Sequence, residues 1–350
     1  MKDFTFFSLL LFAIISFQAC DDEVSPSIKT IVYTVPSNLG TVLPQNERNM
    51  ITEEGVILGK KLFYDPILSA NGKVSCATCH KPELAFTDGL ALTTKGVSGQ
   101  PLKRNVPTLT NAAWIEGLFW DGGANDLESL TFGPLTHEDE MAADLTQVLA
   151  KLKEDDEYVS LFNNAFPELG VSTSALSRAL SQFERTLVSA DSKYDKYVRN
   201  EGVNLSEGEL DGLLLFKEKC AGCHAMDHFT DYSYHNNGLD ASFVNEDFEG
   251  IFQGRFRITR DSSDLGKYKT PTLRNIALTA PYMHDGRFAS LEEVLEHYNS
   301  GVKYSGTLDE LLQSGDAIGI AITEVEKKNL ILFLNTLTDT NFITNPQFKN

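Results

Sequence analysis

The sequence predicts a mainly α fold in two domains, and three observations predict it. Apolar residues recur at helical spacing in separate stretches. Three Ser/Thr-x-x-Glu capping boxes mark helix starts. A five-residue cysteine–histidine motif occurs twice, once in each half of the chain. The length of 350 residues agrees with roughly two domains of ~100–200 residues. Hydrophobic residues at 42% and charged residues at 23% exclude a disordered chain. The net charge of −19, from 49 acids against 30 bases, lacks the basic footprint that nucleic-acid binding needs. It is compatible with a basic protein partner.

In chain order, residues 4–17 form an apolar run of signal-peptide length, too short for a comfortable transmembrane helix, with Lys2 the only basic side chain ahead of it. Phe17-Gln18-Ala19-Cys20 resembles a bacterial lipobox, with a small residue before the cysteine and Gln18 as a departure. The expectation is a signal peptide over residues 1–19 and a lipidated mature N-terminus at Cys20. An ordinary signal peptide with an incidental cysteine is the alternative, and both imply export to the periplasm. Asp21-Asp22-Glu23 and Pro26 open a tether and lead-in segment over residues 20–50. The acidic stretch resembles the surface-export tag of some Gram-negative lipoproteins, which would place the chain at the cell surface.

Ile31–Val35 is a strand candidate. Thr52–Phe63 reads as a helix that ends at Asp65-Pro66, because proline restrains the residue before it. Residues 66–135 are mostly loop. Leu145, Val148, Leu149 and Leu152 form one apolar stripe, and Leu176, Leu180, Phe183 and Leu187 another. Ser206 with Glu209, Ser290 with Glu293 and Thr323 with Glu326 are the capping boxes. Phe252–Ile258 is a second strand candidate. A boundary near residues 200–205 divides domains at 51–200 and 201–350.

The repeated motifs are Cys76-Ala77-Thr78-Cys79-His80 and Cys220-Ala221-Gly222-Cys223-His224. C-x-x-C-H is the c-type haem attachment signature. Two thiols about one helical turn apart can add to the two vinyl groups of a haem, and the adjacent imidazole becomes the proximal iron ligand. Disulfides or one four-cysteine zinc site would use the cysteines but leave both histidines idle. Two covalent haem c groups use every motif residue. A haem also supplies its own core, which accounts for a loop region as long as 66–135.

Further segments carry a resemblance. They are Leu62-Phe63-Tyr64-Asp65-Pro66-Ile67-Leu68-Ser69, Asn105-Val106-Pro107-Thr108-Leu109-Thr110-Asn111-Ala112, Phe119-Trp120-Asp121-Gly122, Gly133-Pro134-Leu135, Glu140-Met141, Lys269-Thr270-Pro271-Thr272-Leu273-Arg274-Asn275-Ile276 and Pro281-Tyr282-Met283-His284-Asp285-Gly286. With the two haem motifs, these resemble the bacterial dihaem cytochrome c peroxidase and MauG superfamily over roughly residues 50–340. The resemblance implies two cytochrome c-like domains, each wrapping one covalent haem. The N-terminal one would be the peroxidatic domain that meets hydrogen peroxide, and the C-terminal one the electron-transfer domain.

The resemblance also implies roles. His80 is the proximal ligand of the first haem. Val97 stands where many relatives have a histidine that caps this haem at rest, so the expectation is an open first haem that needs no reductive activation. His137 is the nearest rival ligand, and a solvated side chain is the expected alternative for it. Glu140 matches the distal glutamate, and its competing reading is a solvated acid in the Glu138-Asp139-Glu140 run. Leu130 replaces a distal glutamine, and Pro134 lines the same pocket. Trp120 matches the tryptophan between the haems, a role compatible with simple packing. The Asn105 side chain and the Thr279 and Pro281 carbonyls match a calcium site.

His224 is the proximal ligand of the second haem. Tyr298 stands where the peroxidase branch has a methionine and MauG-type enzymes a tyrosine. Leu291, Val294, Leu295 and Tyr298 share one helical face, which turns Tyr298 inward independently of the resemblance. A core tyrosine bonded elsewhere is the alternative, and His297, Met226 and Met283 are weaker rivals as ligands. Three functions follow. The first is a peroxidase fed by a small cytochrome c or similar donor. The second is a MauG-like oxidase of a protein substrate. The third is a non-catalytic electron carrier, against which the open haem and Glu140 argue.

Overall fold

The computed structural model describes residues 30–40 and 42–350, so the apolar run at 4–17 and Cys20 lie outside the described residues. Among those residues the helical segments are α1 (Glu53–Tyr64), α2 (Cys76–Cys79), α3 (Leu127–Leu130), α4 (Phe132–Thr136), α5 (Leu145–Glu154), α6 (Asp156–Ala165), α7 (Thr173–Arg185), α8 (Lys193–Val198), α9 (Glu207–Lys219), the single turns α10 (Asp247–Gly250) and α11 (Phe256–Thr259), α12 (Leu291–Glu296), α13 (Glu324–Asn335) and α14 (Thr340–Thr344). Strand is confined to two antiparallel ribbons, β1 (Tyr234–His235) with β2 (Tyr268–Lys269) and β3 (Gln313–Ser314) with β4 (Ala317–Ile318). No helix of these residues is long and apolar enough to cross a membrane. The fold is mainly α, as the sequence predicts.

Two helix pairs organise the chain. Thr52 caps α1 by accepting the Gly55 N–H, and α1 ends at Asp65 before Pro66. α1 packs on α7 so closely that a Cβ on Gly59 would lie 1.9 Å from the Ala179 carbonyl oxygen. Ser206 and Glu209 cap α9 reciprocally, and Thr323 and Glu326 do the same for α13. α9 packs on α13 in the same manner, with a Cβ on Gly212 falling 2.0 Å from the Asn329 carbonyl oxygen. Ser290 caps α12 by accepting from Glu293 N–H, but the Glu293 carboxylate takes the Ala289 N–H instead of closing a box.

Each pair roofs its own apolar core. Phe63, Phe86 and Phe183 meet in the first, and Phe216, Phe229 and Phe333 in the second. The stripe Leu176, Leu180, Phe183 and Leu187 is fully buried in the first core. Phe342 and Phe348 also pack there. By its packing the tail past Asp339 therefore belongs with the first half, although it lies beyond the boundary near residues 200–205.

Asn111 and Asn275 mark another correspondence. Both sit in the left-handed region, at φ 56° and 59°, and donate their backbone N–H to the Leu187 and Leu337 carbonyls just past α7 and α13. α8 packs in the second core through Tyr194, Tyr197 and Val198, and a buried bidentate pair of its Asp195 with Arg274, both bonds 3.0 Å, ties it there.

Two expectations fail. Ile31–Val35 is not a strand, since its region finds only an isolated bridge between Thr30 and Thr52. Phe252–Ile258 is not one either. Gly254 at φ 64° lies against the Lys267 carbonyl and turns the chain, leaving a 3-10 turn before it and α11 after it.

Candidate active site

α2 is a single turn whose cap, Ser75, shares reciprocal bonds with Thr78. One turn is what brings Cys76 and Cys79 to the same side. His80 follows with its N–H on the Cys76 carbonyl, and its Nδ1 donates to the Phe86 carbonyl at 2.8 Å. Phe86 reaches back because it adopts φ 61°. In the second half, Cys220 closes α9, His224 N–H meets the Cys220 carbonyl, and His224 Nδ1 donates to the Phe229 carbonyl at 3.0 Å, with Phe229 at φ 55°. Fixing Nδ1 as the donor leaves Nε2 as the free nitrogen of each ring. Burial pushes both imidazoles below their ordinary pKa, which favours the neutral, ligating form.

Both motifs line one cavity of 870 Å³. All four thiols are free, and the metal-competent group found among the described residues, Cys223 with His235 and Asp309, takes in just one of them. A four-cysteine zinc site is thereby set aside. Arg104 and Arg257 line the same cavity, and the Nε of each is buried without a partner. They converge on buried Asp121, at 2.9 and 3.2 Å. Paired thiols, tethered imidazoles and orphaned guanidinium donors fit two covalent haems with carboxylate side chains.

The wall between the halves is cross-tied. Asn105 N–H donates to the His284 carbonyl and Lys269 N–H to the Trp120 carbonyl, both at 2.8 Å. Trp120 Nε1 donates to the Asn105 carbonyl at 2.9 Å. His284 stacks on Tyr268 at 3.6 Å, and burial pulls its pKa down to about 4. Trp120 and His284 hold equivalent places, in Trp120-Asp121-Gly122 and His284-Asp285-Gly286.

On the first-motif side, Glu140 lines the cavity with Leu130 and Pro134. Burial raises its pKa, against the pull of His137, whose Nδ1 lies 4.0 Å away. The His137 side chain is 52% exposed and accepts the Asp139 N–H, and it also lines the cavity beside Glu140. Val97 packs into the first core and donates its N–H to the Glu140 carbonyl at 2.7 Å.

On the second-motif side, Leu291, Val294, Leu295 and Tyr298 all line the cavity. Tyr298 sits in a π-helical turn, His297–Gly301, that continues α12, a departure common at functional sites. Burial pushes its phenol up to about 12. His297 is turned away, with Nε2 bonded to the Asn237 carbonyl at 2.9 Å. Met226 packs in the second core, whereas Met283 does line the cavity.

Asn105, Thr279 and Pro281 line the cavity as well. Asn105 Nδ2 donates to the Leu90 and Ala91 carbonyls, while the Thr279 and Pro281 carbonyls accept no hydrogen bond from any described residue.

Sequence reasoning missed Arg104, Asp121 and Arg257, whose convergence joins distant loops. It also missed Glu184, a cavity-lining acid with a buried, unpartnered Oε2 and a pKa pushed by burial up to about 8. Glu184 stands beside Arg185 at the end of an otherwise apolar stripe, the one signal available for it.

Comparison with known proteins agrees with this geometry. The family described as di-haem cytochrome c peroxidase matches residues 53–202. The chain is 37% identical to the methylamine utilization protein MauG of Methylorubrum extorquens over 84% of this chain and 81% of that one. It is 31% identical to the cytochrome c551 peroxidase of Pseudomonas aeruginosa, over 91% and 86%. A crystal structure of a MauG-like protein associated with microbial copper homeostasis superposes with a TM-score of 0.78 at 34% identity, covering 94% of this chain and 99% of that one. With two haem attachment motifs opening on one cavity and relatives of this similarity over most of its length, the chain belongs to the dihaem cytochrome c peroxidase and MauG family, whose cofactors are two haem c groups.

Proposed function

We propose that the chain is a hydrogen-peroxide-dependent oxidoreductase. Cys76, Cys79 and His80 would hold the first haem, where peroxide would be reduced, and Cys220, Cys223, His224 and Tyr298 would hold the second, with Trp120 as the electron path between the two sites. The observation that carries this reading is the position of Glu140, a cavity-lining carboxyl of raised pKa on the side of the first motif. When bound, the haem iron supplies the redox equivalents that split the O–O bond. Glu140 takes the proton from the near peroxide oxygen and returns it to the leaving one. Val97 anchors the Glu140 backbone and provides no ligand, so the site starts open. The free Nε donors of Arg104 and Arg257 would meet haem carboxylates, and Trp120, fixed by its bond to Asn105, would hold the path between the halves.

Two electron sources distinguish the readings. A peroxidase draws on a small cytochrome c or similar donor. A MauG-like oxidase draws on a protein substrate, and Tyr298 favours this second reading. Tyrosinate is a hard anionic ligand, so a His/Tyr haem has a lower potential than a His/Met one. A purely electron-carrying role would give Glu140 nothing to do.

Each core with its motif is taken as one haem domain, residues 51–200 and 201–350, with the tail past Asp339 returning to the first. Asn105, Thr279 and Pro281 offer neutral oxygens suited to a calcium ion completed by water. The leader and Cys20 support a periplasmic, lipid-anchored location.

Absorption and EPR spectra of the ferric protein, before and after peroxide, test the reading. One high-spin haem, one low-spin haem and reaction without prior reduction are expected. Two low-spin haems at rest would refute the open site. Tyr298→Phe should change the spectrum of the second haem alone, and an unchanged spectrum would refute its ligation. Steady turnover with reduced cytochrome c would decide for the peroxidase.

A further inference from the structure

The internal repeat makes departures from it informative. Phe86-Thr87-Asp88 in the first half corresponds to Phe229-Thr230-Asp231 in the second, each phenylalanine holding the motif histidine by its carbonyl. The flanking residues differ. The first half has Ala85 before and Gly89 after, and the second has His228 before and Tyr232 after. A third departure lies after the equivalent asparagines. The 3-10 turn following Asn111 ends on Trp114, and the one following Asn275 ends on Leu278.

These three ring-bearing departures meet in space. The rings of Trp114 and His228 lie 5.1 Å apart, and those of His228 and Tyr232 5.8 Å apart. Tyr232 lines the haem cavity, while Trp114 is partly exposed and packs against the cluster that Val35, Leu39 and Leu43 of the lead-in segment form with Ile51. The run thus leads from the cofactor cavity toward the outside of the molecule. We propose that Tyr232, His228 and Trp114 form an electron relay that lets Trp114 give one electron to the oxidised haem pair when no external donor is bound.

The chemistry assigns each member a part. An indole can lose one electron without first losing its proton, so Trp114 is the terminal source. Tyrosine needs an acceptor for its proton to be oxidised at low cost. The Tyr232 hydroxyl is buried without a partner, so it serves as a bridge. Burial and the Arg274 charge pull His228 down to about 4, which keeps the ring neutral and spares the path a fixed positive charge. Peroxide cleavage leaves the haem pair short of electrons. One electron passes inward from Trp114, which becomes a radical cation, and the indole N–H proton passes to water. The N–H bond breaks and an O–H bond of hydronium forms; loss of a second electron to the haem pair, with addition of water and release of a second proton, gives the oxygenated indole.

The relay rests on the peroxide reading above. The test is hydrogen peroxide added to the holoprotein without donor, followed by rapid-freeze EPR and by peptide mass spectrometry for oxygen addition. A tryptophan radical and oxidised Trp114 are expected. Trp114→Phe should abolish that radical and slow the decay of the oxidised haem spectrum several-fold, with the initial reaction rate unchanged. His228→Ala, which retains Trp114 itself, should lower Trp114 oxidation and separate a relay from direct attack at the surface. A normal haem response with Trp114 unmodified, or equal Trp114 oxidation in His228→Ala, overturns the relay alone. No haem response to peroxide overturns the peroxide reading and the relay with it.

Discussion

The two halves are one frame used twice, and the difference between them falls where chemistry enters. α3 and α12 start alike, with Asp126 and Ser290 as caps and Leu127 and Leu291 as first residues. Counting equally from those leucines reaches Pro134 in the first half and Tyr298 in the second. Both line the haem cavity. Proline has no side-chain donor to offer a metal, and tyrosine has a phenol. On the proposed reading, a single position in a shared frame leaves one haem open and caps the other. The frame is held by what does not vary: paired thiols, a histidine fixed by a carbonyl, and a glycine under a crossing helix.

The largest way to break the comparison is at Glu140, proposed to act in one half only. Glu140→Gln should slow the peroxide reaction by about 10²–10⁴-fold, read by stopped-flow, with the second haem's spectrum unchanged. Because burial raises the Glu140 pKa and the base must be ionised, the wild-type rate should fall as pH drops through that raised value. A pH-independent rate would remove Glu140 from the role.

Next is the buried pair that ties α8 into the second core. Asp195→Ala leaves the fully buried Arg274 unpaired and should cost about 3–5 kcal/mol in denaturant unfolding. Burial pushes the Asp195 pKa up, but the Arg274 charge and hydrogen bonds outweigh it and hold the acid below its usual range. The stability it confers is present above the unfolded pKa of about 3.9 and is lost as pH falls through the lower folded value.

The shared frame is sharpened by paired substitutions. Gly59→Ala and Gly212→Ala each drive a methyl group into a carbonyl of the crossing helix. Each should cost about 1–3 kcal/mol or more, by similar amounts. A large cost in one half and none in the other would deny the equivalence. Thr52→Ala and Ser206→Ala remove equivalent caps and should cost about 1 kcal/mol each, read as small shifts in thermal midpoint.

Much of this was legible in the sequence because it rests on short-range pattern. The two C-x-x-C-H motifs, the stripe ending at Leu187 and the caps at Ser206 and Thr323 all lie within a few residues. The inward face of Tyr298 was readable for the same reason. The rest of the repeat was hidden because the intervals between matching segments differ in the two halves, so no fixed period exists. The Arg104–Asp121–Arg257 cluster and the return of Phe342 and Phe348 depend on long-range packing that periodicity does not encode. Phe252–Ile258 misled because aromatic and β-branched residues suggest a strand, while Gly254 in a left-handed turn overrides them.

The return of the tail also sets an order in time. A chain emerges from the ribosome N-terminus first. The first half presents α1, its cysteine motif and α7 early, yet its core lacks Phe342 and Phe348 until those residues arrive, after α13. The second half, by contrast, has every member of its aromatic cluster once Phe333 is made. The half that begins first is therefore the half that finishes last, and loss of the final residues would weaken the far end of the chain, not the near one.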